Sequence, residues 1–246
     1  MPFDLSIAAF AWIALVSMIA GVVRGYSGFG FAAIFLSGSG LVANPVSLVP
    51  IVVIADLFLT AGQARSIRGE VEWRRILWLA SGAVVAMPFG IAIVARMGDD
   101  AARLAISLLV LGITALLWTG WRTSAPLGAP AHVATGVVSG MAQGASLGGL
   151  PVAAFFAAQP IPARAFRATI IAFFFLIDLV ALPLMARAGL VSMDTVLATA
   201  IVLPFMAFGV WYGSHRFRAA TPEDFRRHAL RLLTVLALAG LVRSLA

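Results

Sequence analysis

The chain has 246 residues, 62% of them hydrophobic and only 11% charged, which is too little polar surface for a soluble domain of this length. Cysteine is absent, so disulfides and thiolate chemistry are excluded. The net charge of +7 rests on 17 basic residues, all arginine, in short loops between apolar runs, where membrane topology accounts for them before nucleic acid does.

In chain order, the stretch from Met1 to Val23 reads as a retained first helix. Asp4 and no basic residue precede its apolar run, whereas a cleaved signal peptide wants a positive start. Ten hydrophobic segments follow from the pattern: 5–23, 28–43, 45–64, 76–95 and 104–121, then 131–145, 147–158, 166–186, 195–213 and 229–245. A spanning helix takes about 20 residues. Segments 28–43, 131–145 and 147–158 are short for that and are expected to be half-helices or re-entrant hairpins, with protein or water around their freed backbone groups.

Threading ten crossings with the N-terminus outside puts thirteen of the seventeen arginines on or near the cytoplasmic side. Among them are Arg24 and the clusters Arg65–Arg75 and Arg216–Arg231; only Arg96, Arg103, Arg187 and Arg243 fall outside. That is the bias the positive-inside rule requires. Five crossings per half is an odd number, so the second half enters the membrane in the opposite orientation, as in an inverted repeat. The expected fold is an all-α integral membrane protein, an inverted-repeat helical bundle with broken or re-entrant helices. Residues 1–122 form the first repeat, 123–130 a linker and 131–246 the second repeat.

One segment is written twice, at matching places in the two halves. The first copy is Gly21-Val-Val-Arg-Gly-Tyr-Ser-Gly-Phe-Gly30, and the second is Gly136-Val-Val-Ser-Gly-Met-Ala-Gln-Gly-Ala-Ser-Leu-Gly-Gly149. Each is followed by a proline-led helix, at Pro45 and at Pro160. Paired Gly/Pro-interrupted apolar segments point to the binding site of a secondary transporter. On these residues, with the basic loop Arg65-Ser-Ile-Arg-Gly-Glu-Val-Glu-Trp-Arg-Arg75 and the ending that starts Phe225-Arg-Arg-His, the chain resembles the sulfite exporter TauE/SafE family over nearly its whole length. The resemblance implies export of sulfite or small organosulfur anions such as sulfonates across the cytoplasmic membrane.

A broken helix leaves free N–H groups at the start of the half-helix that follows, and these, with the helix dipole, favour an anion. Ser27, Gly28 and Gly30 lie at the first break; Gln143, Gly144, Ser146, Gly148 and Gly149 lie at the second. The plainer alternative is that the glycines let helix backbones approach closely. Arg24 reads either as a fixed cation at the cytoplasmic mouth or as an interfacial topology arginine. Thr169 is expected to line the cavity, since its helix carries Asp178, or else to bond back to its own helix. Asp56 and Asp178 are the acids deepest in the spans. An acid there commonly faces a polar cavity, pairs with a base or moves a proton, so the two are expected to couple proton movement to anion movement.

The remaining signals are local. Asn44 and Pro45 read as a helix cap and first helical residue. Pro88, Pro183 and Pro204 fall inside helical runs and are expected to kink them. Trp73, Trp78, Trp118 and Trp121 read as membrane-interface anchors. His132, His215 and His228 are expected at the interface and form no metal cluster, and no cofactor is expected. The expected partners are a small anionic substrate, the lipid bilayer and at most a second copy of the chain, with no nucleic acid.

Three other functions compete with the carrier. Ser37-Gly38-Ser39-Gly40 superficially suggests an intramembrane serine hydrolase, but no histidine lies within a span to act as base. A passive anion channel would use the same biased cavity. A non-transporting assembly subunit would need neither broken segment. A carrier is expected to hold the anion between its halves and open alternately to each side. The inside-negative potential helps an anion leave by about 2.3 kcal/mol per charge per 100 mV. Outward proton symport forgoes that help, so uniport or proton antiport is the expectation from sequence.

Overall fold

A computed structural model describes residues 6–67 and 69–217, together with positions 231, 234, 235, 238, 241 and 242, which are helical. Among the described residues the chain is all-helical: α1 (Ile7–Ser27), α2 (Phe31–Ser39), α3 (Pro45–Ile67), α4 (Trp73–Val94), α5 (Asp99–Thr119), α6 (Ala129–Gln143), α7 (Gly149–Ala157), α8 (Ala163–Arg187) and α9 (Met193–Phe217). The rest of the expected segment 229–245 and the loop residues 218–230, including His228, lie outside the described residues. Six helices, α1, α3, α4, α5, α8 and α9, are long and apolar enough to cross a membrane.

Most helix ends follow from local chemistry. Asn44 Oδ1 accepts the Val46 N–H at 2.8 Å, with Pro45 as the first helical residue. Asp99 and Asp100 open α5, where carboxylates complement the helix dipole. The largest departure from expectation is α1, which continues past Val23 to Ser27. The apolar stretch stops at Arg24, but the helix does not, because a buried partner neutralises that charge. Pro88, Pro183 and Pro204 sit inside continuous helices, as does Pro50 in α3.

α2 and α7 have nine residues each, about 13 Å of helix against roughly 30 Å of hydrocarbon. Neither can span. Each instead folds back on its predecessor: α2 lies along α1, where Trp12 Nε1 donates to Gly38 O at 2.8 Å, and α7 lies along α6, where Ser139 Oγ donates to Gly148 O at 2.7 Å. The surface is inverted relative to a soluble protein. Leu77, Val85, Phe89, Phe208 and the four belt tryptophans face outward, while Arg24, Asp56, Gln143 and Asp178 are buried.

Two seams made by glycine hold the bundle. Gly21 and Gly25 of α1 meet the α9 backbone at Met206–Ser214, and Gly209 and Gly213 reciprocate against Met18–Tyr26. Gly136, Gly140 and Gly144 of α6 meet α4 at Leu79–Ile91, with Gly82 and Gly90 facing them. Numbers rise together along both seams, so each pair is parallel. Lipid gives no hydrophobic push between helices, so this backbone-to-backbone approach supplies the contact energy. A leucine at Gly136 would drive its Cβ into the Leu79 carbonyl. Overpacking of that kind costs about 1–3 kcal/mol or more. Gly136→Leu is expected to lower the Tm of detergent-solubilised protein and cut its monodisperse yield several-fold, read by fluorescence-detected size exclusion.

Candidate functional site

The two breaks meet inside the bundle. α1 ends in left-handed Gly28 (φ +83), whose N–H bonds Arg24 O at 2.7 Å, and left-handed Gly30 (φ +84) opens α2. Two left-handed residues within three positions favour glycine at both. The second tip turns differently. Ser146 is left-handed (φ +55), while Gly148 and Gly149 are there for space: a Cβ on Gly148 would strike Gln143 Oε1 and Ser139, and one on Gly149 would strike the Phe174 ring.

Between the tips lies a small cavity of about 30 Å³. The first turn of α2 (Gly30 to Ala33) borders it on one side, and Ser146, Leu147, Gly149 and Leu150 border it on the other. Arg24, Asp56, Gln143 and Asp178 complete its polar wall, and Phe174 its apolar wall. Almost every lining residue is buried, so the cavity lies within the bundle.

Neither helix start carries a side-chain cap. The first-turn N–H groups of α2 have no acceptor in their own helix. α7 is poorer in donors, because Leu150 N–H is held by Leu147 O at 3.0 Å and Pro151 has no N–H. The site is therefore lopsided, with α2 as its main source of backbone donors.

Arg24 stands on the same side as α2. It is fully buried, ion-pairs with Asp56, donates from Nη2 to Thr60 Oγ1 at 2.6 Å and lies 5.8 Å from the Phe31 ring centre. Asp178 accepts from Gln143 Nε2 at 2.7 Å and lines the same cavity as Asp56. The four residues come from α1, α3, α6 and α8 and form one polar cluster at the cavity.

The predicted site residues thus divide. Arg24, Gly30, Gln143, Ser146, Gly149, Asp56 and Asp178 come together at the cavity. Arg24 is fully buried and its side chain borders the cavity. Ser27 Oγ donates to Val23 O and Phe29 O, both at 2.8 Å, and so serves the turn. Gly28 packs on Arg167, Gly144 on Gly90 and Gly148 on Gln143 and Ser139; none of them lines the cavity. Thr169 also lies elsewhere, its hydroxyl accepting the Glu72 N–H at 3.0 Å ahead of α4. His132, expected at the interface, is buried edge-on against Phe155, with ring centres 4.9 Å apart.

The sequence reading missed a polar lattice at the end where α1 stops. Arg167 Nη2 donates to Gly25 O at 3.0 Å and to Ser214 Oγ at 3.3 Å, and Gln63 Nε2 reaches the same hydroxyl at 3.3 Å. Phe29 meets Phe166 edge-on beside this lattice, 5.9 Å between centres. α1, α3, α8 and α9 are tied together there by neutral acceptors. Ser146 Oγ, at the other tip, donates to Val49 O of α3 at 2.9 Å.

Ser37 and Ser39 are buried, and neither hydroxyl has a hydrogen-bond partner among the described residues, so no base activates them. No His/Cys/Asp/Glu cluster among the described residues fits a metal ion. No curated protein and no solved structure matches the chain. One family does: sulfite exporter TauE/SafE, over residues 13–240.

Proposed function

The chain belongs to the sulfite exporter TauE/SafE family of membrane transporters, and on that premise we propose that it carries sulfite or small organosulfur anions out across the cytoplasmic membrane by alternating access. The observation that carries the reading is the cavity bordered by the uncapped starts of two half-helices, with Arg24 beside the richer one. A tetrahedral or pyramidal oxyanion needs several donors around a compact centre. The Phe31, Ala32 and Ala33 N–H groups supply them without a mobile charge, Gln143 adds an amide, and Arg24 fixes the sign of the field.

In this proposal the halves form an inverted repeat whose hairpins, α1–α2 and α6–α7, re-enter from opposite faces. The exchange of helices between halves, α1 on α9 and α4 on α6, both parallel, supports it. The anion binds near the midplane, and one side opens when the Arg167–Ser214–Gly25 lattice parts. Asp56 and Asp178 couple the anion to protons.

The test is efflux from proteoliposomes loaded with sulfite. Saturable efflux, slowed by excess methanesulfonate on the same side, is expected. Folded protein that moves none of sulfite, methanesulfonate or thiosulfate would remove the substrate claim and leave the membrane fold standing.

A further inference from the structure

Counting charges at the cavity decides more than the identity of its wall. Arg24 contributes one positive charge, and two carboxyl groups, Asp56 and Asp178, line the same cavity. Arg24 pairs with Asp56, which leaves the buried Asp178 facing the neutral amide of Gln143, and a carboxyl without a cation in such a place carries a proton. The cluster with that proton is then neutral. The N-termini of α2 and α7 each add about half a positive charge. One monovalent anion balances that sum. A divalent anion, or a monovalent one facing a proton-free acid pair, leaves a net negative charge in a buried place.

No other charged side chain lines the cavity. α7 has no titratable residue, and α4 has none from Ile76 to Val94. α6 offers the neutral amide of Gln143, and α3 and α1 offer the Asp56 and Arg24 already counted. Arg167, on α8 itself, is eleven residues toward the helix start, about 16 Å away along the axis, and its Nη2 is held by Gly25 O and Ser214.

Resting on the carrier reading above, we infer that the protein moves one proton together with each monovalent anion, in the same direction. The acid pair binds its proton before or with the anion. Both are released on the far side, and the proton leaves to water once the anion no longer balances the helix ends. One negative and one positive charge cross together, so the cycle moves no net charge. Sulfonates and hydrogen sulfite are then the natural cargo, and fully ionised sulfite is disfavoured. This reverses the expectation of uniport or antiport: the membrane potential neither helps nor hinders, and the anion and proton concentration ratios together set the driving force for export.

The experiment uses wild-type protein in liposomes with a pH dye inside and an outward gradient of methanesulfonate, a permanently monovalent probe. The expected result is efflux with alkalinisation of the lumen, at a rate unchanged when a potassium gradient and ionophore clamp the voltage about 100 mV either way. Methanesulfonate efflux with no pH change, and a steady-state distribution shifting about 50-fold per 100 mV, would make the protein a uniporter and overturn the inference while sparing the carrier. Acidification during efflux would show antiport and overturn it equally. No methanesulfonate movement from protein that still moves sulfite would overturn this inference and spare the carrier, whereas no movement of either would bring down both. Asp178→Asn is expected to lower efflux, abolish the alkalinisation and make the remaining flux voltage-dependent. The wild-type result decides without that variant, so its misfolding would not blunt the test.

Discussion

Replacing Arg24 by leucine is expected to abolish transport and to cost the protein most of its folded yield. Arg24 is fully buried and its guanidinium pairs with Asp56, itself buried. Removing one partner of such a pair typically costs about 3–5 kcal/mol, because the other charge stays behind uncompensated. Replacing both partners by apolar groups of similar volume is often neutral. Arg24→Leu/Asp56→Leu is therefore expected to recover the monodisperse yield that Arg24→Leu loses. Transport should not recover with it. Once Arg24 is gone, the anion loses a charged hydrogen-bond donor worth about 1.5–3 kcal/mol, or roughly 10- to 100-fold in affinity. Isothermal titration with methanesulfonate reads that loss apart from stability. A double variant that folds and binds the anion as wild type does would show that Arg24 is a structural ion-pair partner only.

The sequence carried the helices well and the site in part, and the division has physical causes. Hydropathy windows locate spans because lipid forces every backbone group into helix. The same windows end α1 at Arg24, since a charge reads as a boundary until its partner is known. That partner was half visible: Asp56, Thr60 and Gln63 fall at helical spacing on one face of α3, a polar stripe inside a membrane helix. What the stripe meets is tertiary. Asp178 has no counterpart at Asp56 by the repeat offset, yet the fold brings both to one cavity. Thr169 could have been set aside by arithmetic. It lies nine residues from Asp178, about two and a half turns, and so on the opposite face of α8. The doubled glycines were legible as a pattern but not as roles. Gly21, Gly25, Gly136, Gly140 and Gly144 make seams, Gly28 and Gly30 make a turn, and composition alone does not separate close approach from chain reversal.

That separation yields the last prediction, because two glycines bordering one cavity should fail for different reasons. Gly149 has neither a left-handed φ nor room: a Cβ there would overlap the Phe174 ring edge. Gly149→Ala is expected to push Phe174 into the cavity, cover the start of α7 and lower efflux at least tenfold, the equivalent of about 1.4 kcal/mol. Phe174→Leu added to it trims the obstructing ring and is expected to restore most of the flux. Gly30 is the reverse case. Its φ is +84, while a Cβ would find only Val23 Cγ1 at 3.4 Å, an ordinary contact. Gly30→Ala carries a backbone cost of about 1–2 kcal/mol that no neighbouring truncation removes. Val23→Ala should therefore leave the Gly30→Ala defect in place. Efflux assays on the four variants decide it. Rescue of Gly30→Ala by Val23→Ala would mean that crowding, not chain direction, fixes the start of α2. No rescue of Gly149→Ala by Phe174→Leu would mean that the ring is not what the second helix start has been cleared to admit.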